Sequence, residues 1–309
     1  MTLPTDDKGL IGRECPKEDC EGYFKVKSGT GLTEPGLQCH CPYCGALASS
    51  DHFYTREQIE YARSVAFRQV ADVFHQDLKS LEFETRPSGE LGIGISLKVT
   101  RGTRPSISYY LEKQLETLVV CDSCSLEYAV YGVFGYCPDC GKHNSLQILH
   151  KNLILAAKMV DLAETSEDDV SRHLLENAIE DCVSAFDGFG RQLCELHVSR
   201  STNPSKAAMS FQNVSRAATE LKKLFGIELS CLITPSEWTA LVIGFQKRHV
   251  IAHRMGVIDQ DYIDKSGDST AVVGRKVALE AGSIKELVRV LHALGSALAD
   301  EFDKLRLAQ

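Results

Sequence analysis

Cysteine is the residue whose number and spacing point most directly to chemistry in this chain. Nine of the twelve cysteines lie before residue 141, and eight of those nine form two sets of paired cysteines. Two thiolates a few residues apart can bind one metal ion, and a second such pair completes the tetrahedron that Zn²⁺ accepts. A secreted disulfide scaffold would be short and would carry a signal sequence, whereas this chain has 309 residues and an acidic N-terminal segment. The pattern therefore indicates metal binding in a reducing compartment, by default the cytoplasm.

The set at residues 121–140 is the more regular of the two. Cys121 and Cys124 form one C-x2-C pair, and Cys137 and Cys140 form a second pair after twelve intervening residues. Pro138 and Gly141 suit the tight turn around a metal, and residues 118–120 and 128–134 predict short strands. This arrangement resembles a zinc ribbon.

The set at residues 15–44 is less regular but has the same outline. Cys15 and Cys20 are separated by four residues, and Cys41 and Cys44 form a pair of the C-P-x-C-G type. Cys39 could replace Cys41, and His40 is a spare candidate, but Cys41 has the spacing of the second set. Four thiolates leave no open position for water on Zn²⁺, so we expect two structural zinc ions and none that is catalytic. The expected ligands are Cys15, Cys20, Cys41, Cys44, Cys121, Cys124, Cys137 and Cys140.

A second constellation lies in the C-terminal half, where an apolar helix becomes basic and rich in histidine before a glycine. Arg248, His249 and His253 lie within one short segment. A guanidinium offers a rigid fork of donors to phosphate oxygens, and an imidazole exchanges a proton near neutral pH. Arg68 and Arg191 are also followed by a histidine, after six and five intervening residues. Only the pattern at Arg248 is followed by a glycine that would end its helix.

This segment resembles the HEPN superfamily, whose mark is an arginine followed by a histidine after four to six residues near the end of a bundle helix. Gly256-x-x-Asp259-x-x-Tyr262 resembles the continuation in the Apea-like branch. The resemblance covers residues 146–309. The residue after the arginine is often Asn in that family, and here it is His249.

The resemblance implies a metal-independent endoribonuclease, in which the 2′-hydroxyl of RNA attacks the neighbouring phosphate. Arg248 would stabilise the charge of the transition state, His253 would act as general acid–base, and His249 would orient the histidine or the substrate. Arg248 and His253 lie about 140° apart on an ideal helix, so they meet at one phosphate only if the helix distorts or a second chain contributes. The family's solution is a homodimer. The family analogy further implies an antiviral defence or toxin-like role, with an inhibitory or sensor partner.

A binding module is the alternative interpretation, in which a non-catalytic HEPN bundle and zinc ribbons take part in a larger protein or nucleic-acid assembly. A purely structural zinc-ribbon scaffold is a third. The net charge of −8, from 34 basic and 42 acidic residues, disfavours a protein that coats nucleic acid through a broad basic face. It leaves room for a local phosphate site. The Arg248–His253 pair favours the enzyme.

The elements that must position these residues follow from hydrophobic periodicity. A capping box, Thr55 to Gln58, predicts a helix whose apolar stripe includes Ile59, Val70 and Phe74. Alternation at Ile93, Ile95, Leu97 and Val99 predicts a strand, and Gly89, Gly92 and Gly94 predict a turn and a strand edge. Helices are predicted at about 146–164, 167–197, 205–225, 235–255 and 284–306.

The expected fold is therefore α+β and multidomain. Residues 1–50 would form a first zinc ribbon, residues 51–145 a helix and strands with a second, and residues 146–309 an all-α HEPN-like bundle. Capping boxes are predicted at Thr234 and at Ser283, with a leucine-rich stripe after Ser283 that could serve the bundle or a partner. Cys182, Cys194 and Cys231 lie in helical or apolar contexts, where core filling is expected. No apolar run approaches the length of a membrane span.

Overall fold

The chain divides into two units, Met1–Lys142 and His143–Gln309. The computed structural model describes residues 3–32, 38–84, 95–115 and 117–307, without the side chains of residues 306 and 307. The predicted combination of strands in the N-terminal part with helices in the C-terminal part is confirmed.

The N-terminal unit is built around small antiparallel sheets. Its elements are β1 (Leu10–Glu14), β2 (Tyr23–Lys27), β3 (Gln38–His40), β4 (Leu47–Ser49), α1 (Arg56–Lys79), β5 (Phe83–Glu84), β6 (Ser96–Leu97), β7 (Thr117–Val120) and β8 (Glu127–Val130). One sheet has the order β1-β2-β8-β7, while β3 pairs with β4 and β5 with β6. Lys25 lies opposite Ala129 and Val26 opposite Tyr128 where β2 meets β8. Strands from the two cysteine-rich segments therefore share one sheet.

Helix α1 begins as the sequence predicts, but its apolar stripe is not buried. The Thr55 hydroxyl accepts from the Gln58 amide, and Gln58 caps Thr55 in return, so the predicted capping box is confirmed. Val70 and Phe74, which periodicity placed on a single apolar face, are exposed. The opposite side of the helix contacts the segment 98–115, for example where Tyr61 packs against Tyr109 and Tyr110.

The strand predicted at residues 93–99 is reduced to β6 in the part of the chain that the structure describes. Ser96 and Leu97 pair with Glu84 and Phe83 of β5. Ile93 and the three glycines at 89, 92 and 94 lie outside the described residues.

The C-terminal unit is helical. Its helices are α2 (Ser145–Ala163), α3 (Asp168–Leu196), α4 (Val214–Phe225), α5 (Pro235–Arg254), α6 (Gln260–Ser266) and α7 (Ala281–Leu307). Helix α4 begins nine residues later than predicted, because Asn213 caps it and accepts from the Arg216 amide. The capping box at Ser283 is wrong, since α7 already begins at Ala281. The box at Thr234 is confirmed, and Gly226 ends α4 in the left-handed conformation that glycine adopts without strain.

Helix α7 supplies much of the core of this unit. Its stripe, which could have served the bundle or a partner, is buried within the chain's own core at Ile284, Leu287, Leu291, Leu294 and Leu298. Gly244 of α5 allows close packing here, because a Cβ at that position would lie 3.0 Å from the Leu287 side chain. The stripe therefore fixes α5 against α7 and gives no support to a dimer.

Candidate functional site

Each set of four cysteines converges on one point. The Sγ atoms of Cys15 and Cys44 lie 3.7 Å apart, as do those of Cys20 and Cys41. All four ligand atoms of the set lie within 4.8 Å of one another. Sulfurs bound at about 2.3 Å to one tetrahedral Zn²⁺ lie roughly 3.8 Å apart, and a disulfide would need about 2 Å. The spacing thus fits a tetrahedral metal and excludes a disulfide.

The second set has the same geometry. Its Sγ–Sγ distances are 3.6 Å between Cys121 and Cys140 and 3.5 Å between Cys124 and Cys137. Among the described residues, these are the two groups of cysteine, histidine and acidic side chains close enough to hold a metal. The eight cysteines predicted from spacing are therefore the eight that the fold brings together.

Tight backbone turns present these thiolates. In three of the four pairs, the residue four positions after the first cysteine takes a positive φ: Gly45 (68°), Ser125 (63°) and Gly141 (68°). The amide of each of these residues donates to the carbonyl of that first cysteine. Glycine adopts this conformation without strain, which explains the glycine after two of the pairs.

Cys39 and His40, the spare candidates, lie beside the first set but not in it. Cys39 is buried in β3, its Sγ is 3.8 Å from the His40 carbonyl oxygen, and burial raises the pKa of its thiol to about 12. His40 packs against Gly141, where a Cβ would approach its ring to 2.6 Å. Both residues therefore support the packing around the cysteines.

The arginine–histidine constellation lies in the last two turns of α5. Its capping box at Thr234, and Pro235 in the first turn, fix the start of this helix, and Met255 ends it in the left-handed conformation. Arg248, His249 and His253 all line one cavity of about 680 Å³. One chain therefore brings the three predicted residues to a common space, despite their angular separation on the helix.

The cavity is basic although the protein is acidic. The remaining lining residues come from the segment 206–220: Lys206, Ala208, Met209, Ser210, Gln212, Asn213, Arg216 and Glu220. With Arg248, that makes three lysine and arginine side chains against one glutamate, before the two histidines are counted. The first turn of α4 also lies at the cavity, and the positive end of a helix dipole favours anions. The arrangement suits a phosphate group.

Arg248 is held from behind by helix α3. Its side chain is only 6% exposed, and its Nε lies 2.9 Å from Glu180 Oε2. The angle at this contact is not that of a hydrogen bond, so Nε forms a close ion pair without a hydrogen-bond partner. The guanidinium is thereby fixed in position and partly neutralised.

His249 and His253 form a pair one helical turn apart. Their ring centroids are 4.7 Å apart and both side chains are exposed. Partial shielding of the ring from water, followed by the positive neighbours His253, Lys265 and Arg248, lowers the pKa of His249 below its ordinary value. His249 is therefore held towards its neutral form beside a histidine that faces the same cavity.

The opposite wall of the cavity is anchored by Asp187 of α3. This buried carboxylate accepts from the Ser210 hydroxyl at 2.9 Å and from the Phe211 amide, and it forms an ion pair with Arg191 at 3.0 Å. Gly190 lets the Phe211 ring lie directly on the helix, since a Cβ would be 2.6 Å from that ring. These contacts place the segment 207–213 on α3 and hold α4 at the cavity.

The Gly256–Asp259–Tyr262 continuation stabilises the end of α5. Asp259 caps α6 by accepting from the Tyr262 amide at 2.8 Å, and it pairs with Arg254 at 3.1 Å. Tyr262 is buried and donates to Asp268 at 2.9 Å. These side chains position the helix end that carries the histidines, without lining the cavity.

The other histidine and cysteine candidates have structural roles. His197 contacts the Leu193 carbonyl through Nδ1 at 2.9 Å and packs against Phe302. Cys182 and Cys194 are buried in the bundle core, where burial raises both thiol pKa values to about 12, so the expectation of core filling is confirmed for them. Cys231 is exposed, which corrects that expectation at this position.

Sequence patterns missed Lys206, Arg216 and Glu180. None belongs to a motif, and tertiary folding alone brings them to Arg248. Comparison with family models, with curated proteins and with solved structures returns no match. Among the described helices, none combines the length and apolar character needed to cross a bilayer.

Proposed function

We propose that the cavity around Arg248, His249 and His253 binds RNA and cleaves it without a metal ion. The observation that carries the proposal is the basic, histidine-bearing cavity in a protein of net charge −8. Phosphate is among the anions that both arginine's donor fork and a helix N-terminus recognise. The resemblance of the α5 segment to the HEPN superfamily suggests the reaction, although no family model matches the chain.

RNA carries its own nucleophile beside each scissile phosphate, so the protein needs only to move protons and stabilise charge. The 2′-oxygen bonds to phosphorus as its proton leaves, and the bond from phosphorus to the 5′-oxygen breaks as that oxygen takes up a proton. His253 exchanges these protons as general acid–base, and Arg248 stabilises the charge on the non-bridging oxygens. His249 orients His253 or the substrate. The products are a 2′,3′-cyclic phosphate and a 5′-hydroxyl.

Both cysteine sets hold Zn²⁺ in this proposal, and both ions are structural. Four thiolates fill the tetrahedron, so the metal stabilises the turns and strands around it and takes no part in cleavage. The small sheet of the N-terminal unit offers a short strand core, which metal binding would reinforce.

A non-catalytic RNA- or partner-binding module is the second candidate. It is favoured by the Arg248–Glu180 ion pair, because a guanidinium already neutralised by a carboxylate has less charge to offer a transition state. In that case the cavity would bind a phosphate group and leave it intact.

Purified protein incubated with RNA in the presence of EDTA separates the two candidates. The enzyme yields fragments ending in 2′,3′-cyclic phosphate, and DNA stays intact because it lacks the 2′-hydroxyl. His253→Ala should reduce the cleavage rate by about 100-fold or more, which is the size of loss expected when a general acid–base is removed. His173→Ala, at an exposed histidine on α3, is the matched control and should cleave normally. RNA that is retained but never cleaved would establish the binding module instead.

A further inference from the structure

The exposed apolar stripe of α1 is unusual for a helix inside a packed unit. Phe67 and Val70 are each 66% exposed and Phe74 is 63% exposed. The helix is nevertheless fixed on its other side, where Asp72 pairs with Arg101 and Arg104. Contiguous exposed apolar side chains of this size commonly mark an interaction site.

The residues of this stripe are arranged symmetrically about Val70. Arg63 and Asp77 lie seven positions before and after it, and at 3.6 residues per turn both fall within about 20° of its direction. Phe67 and Val73 lie three positions to either side, and Ala66 and Phe74 four positions. Reversing the direction of the helix therefore exchanges apolar side chains with apolar ones, and the basic charge with the acidic one.

We propose that this face binds a second copy of the chain, with the two α1 helices antiparallel and crossing at Val70. Residues equidistant from Val70 then face each other, so Arg63 meets Asp77 of the partner subunit at both ends of the contact. Phe67 and Phe74 fill the space between. Such a two-fold contact uses the same patch on both chains.

The charges at the two ends of the stripe favour a second copy of the chain, and they favour the antiparallel arrangement over the parallel one. A parallel pair would place Arg63 against Arg63 of the partner subunit and Asp77 against Asp77 of the partner subunit, which is repulsive. Arg63 and Asp77 are both exposed, and no ion pair of either is found within the described ranges; Arg63 also lines a surface pocket with Glu18 and Glu60. An antiparallel second copy would place an opposite charge within reach of each. This interface lies in the N-terminal unit and is independent of the cavity and of any contact through the helical unit.

Co-expression of the full chain with two different tags tests the pairing. Two differently tagged wild-type chains should co-purify. When both chains carry Arg63→Asp, or both carry Asp77→Arg, about tenfold less of the second chain should co-purify, because two like-charge contacts replace two ion pairs. Arg63→Asp mixed with Asp77→Arg restores both opposite-charge contacts and should recover capture. The double variant Arg63→Asp/Asp77→Arg should recover it with itself.

Val70→Glu places two like charges at the two-fold axis and should also abolish capture. Gln69→Glu adds the same charge at an exposed position about 100° away on the helix and should not. Equal capture of all combinations would assign the dimer to another surface and overturn the proposal. Failure of wild-type chains to co-purify would overturn it too. His253→Ala should pair like wild type whether or not the cavity cleaves RNA.

Discussion

The Nε of Arg248 lies 2.9 Å from Oε2 of Glu180, so the buried guanidinium of α5 is paired with a carboxylate of α3. Neither motif nor spacing links these residues, which are 68 positions apart. The contact sets the position of Arg248, the buried basic side chain among the residues that line the cavity. It therefore couples the stability of the bundle to the geometry of the candidate site.

Glu180→Gln should destabilise the protein by about 1–2 kcal/mol. Removing one partner of a buried pair leaves an uncompensated charge, and the 41% exposure of the Glu180 side chain lets water offset part of this cost. The free energy of unfolding in urea measures the effect. Glu176→Gln breaks an exposed pair with Arg172 on the same helix and should cost less than about 0.5 kcal/mol. Equal costs would show that Arg248 does not depend on Glu180.

The pKa of His249 should rise when its charged neighbour is removed. Burial is the larger cause of its lowered pKa and His253 the next, so His253→Asn should move the pKa part of the way back towards its ordinary value. NMR titration of the His249 ring protons measures the shift. An unchanged pKa would mean that the two rings do not sense each other's charge.

The same lowered pKa predicts how stability depends on pH. The folded state binds a proton at His249 less readily than the unfolded chain, whose histidine pKa is about 6.5. This contribution to stability is complete above about pH 6.5 and is lost as the pH falls through the lowered folded value. Wild type should therefore lose more stability than His249→Asn when denaturant unfolding is compared at pH 7.5 and pH 5. A larger loss of stability in His249→Asn than in wild type would contradict a lowered pKa of His249 in the folded state.

Zinc content should separate Cys39 from its neighbours. Cys44→Ser removes a member of the first set and should reduce the zinc content from two ions to one. Cys39→Ser changes a buried cysteine that is outside the set and should keep both ions. Native mass spectrometry counts the bound metal. Zinc loss in the Cys39 variant would show that the chain uses a different ligand set.

The parts of the site that sequence predicts are those that local geometry determines. The cysteines pair within short turns, so their spacing contains the information, and Gly45 and Gly141 mark the residues with positive φ. The box at Thr234 likewise depends on hydrogen bonds within four residues. Arg248, His249 and His253 lie within two turns of one helix.

The remaining features depend on tertiary contacts that no local pattern specifies. Lys206 and Arg216 reach the cavity because Asp187 anchors the segment between them. The repeat of apolar residues in α1 correctly predicts a helix, but periodicity alone cannot say whether an apolar face packs within its own chain. The residue types at Ser283–Glu286 match a capping box, but these residues already lie inside a helix that begins at Ala281, so no helix starts there.

Arg216 should contribute to RNA binding through its charge. It lines the cavity at the first turn of α4, so Arg216→Ala should weaken binding of a 2′-O-methyl RNA, which lacks the nucleophile. The slope of the logarithm of the binding constant against the logarithm of the salt concentration should become shallower by about 0.7–1. Lys222→Ala removes the same charge from the last turn of α4, and Lys222 is not among the residues that line the cavity. Fluorescence anisotropy at several salt concentrations measures both variants. Equal slopes of the salt dependence for the two variants would show that the cavity is not part of the RNA-binding surface.

Asp187 should control both the stability of the bundle and the shape of the cavity. Asp187→Ala leaves the buried Phe211 amide and the Ser210 hydroxyl without their acceptor, which should cost about 1–3 kcal/mol. Because the segment 207–213 forms one wall of the cavity, affinity for 2′-O-methyl RNA should fall as well. Asp181→Ala, at an exposed position of the same helix, is the matched control.

The two readouts distinguish an anchor from a simple core residue. If Asp187 only stabilised the core, RNA affinity measured well below the unfolding transition would match that of the wild type. If it anchors the wall, affinity should fall even where the variant is fully folded by circular dichroism. Ser210→Ala removes one of the three contacts to Asp187 and keeps the Phe211 amide bond. It should therefore show a smaller decrease in both quantities, and a larger one would place the anchor at Ser210 instead.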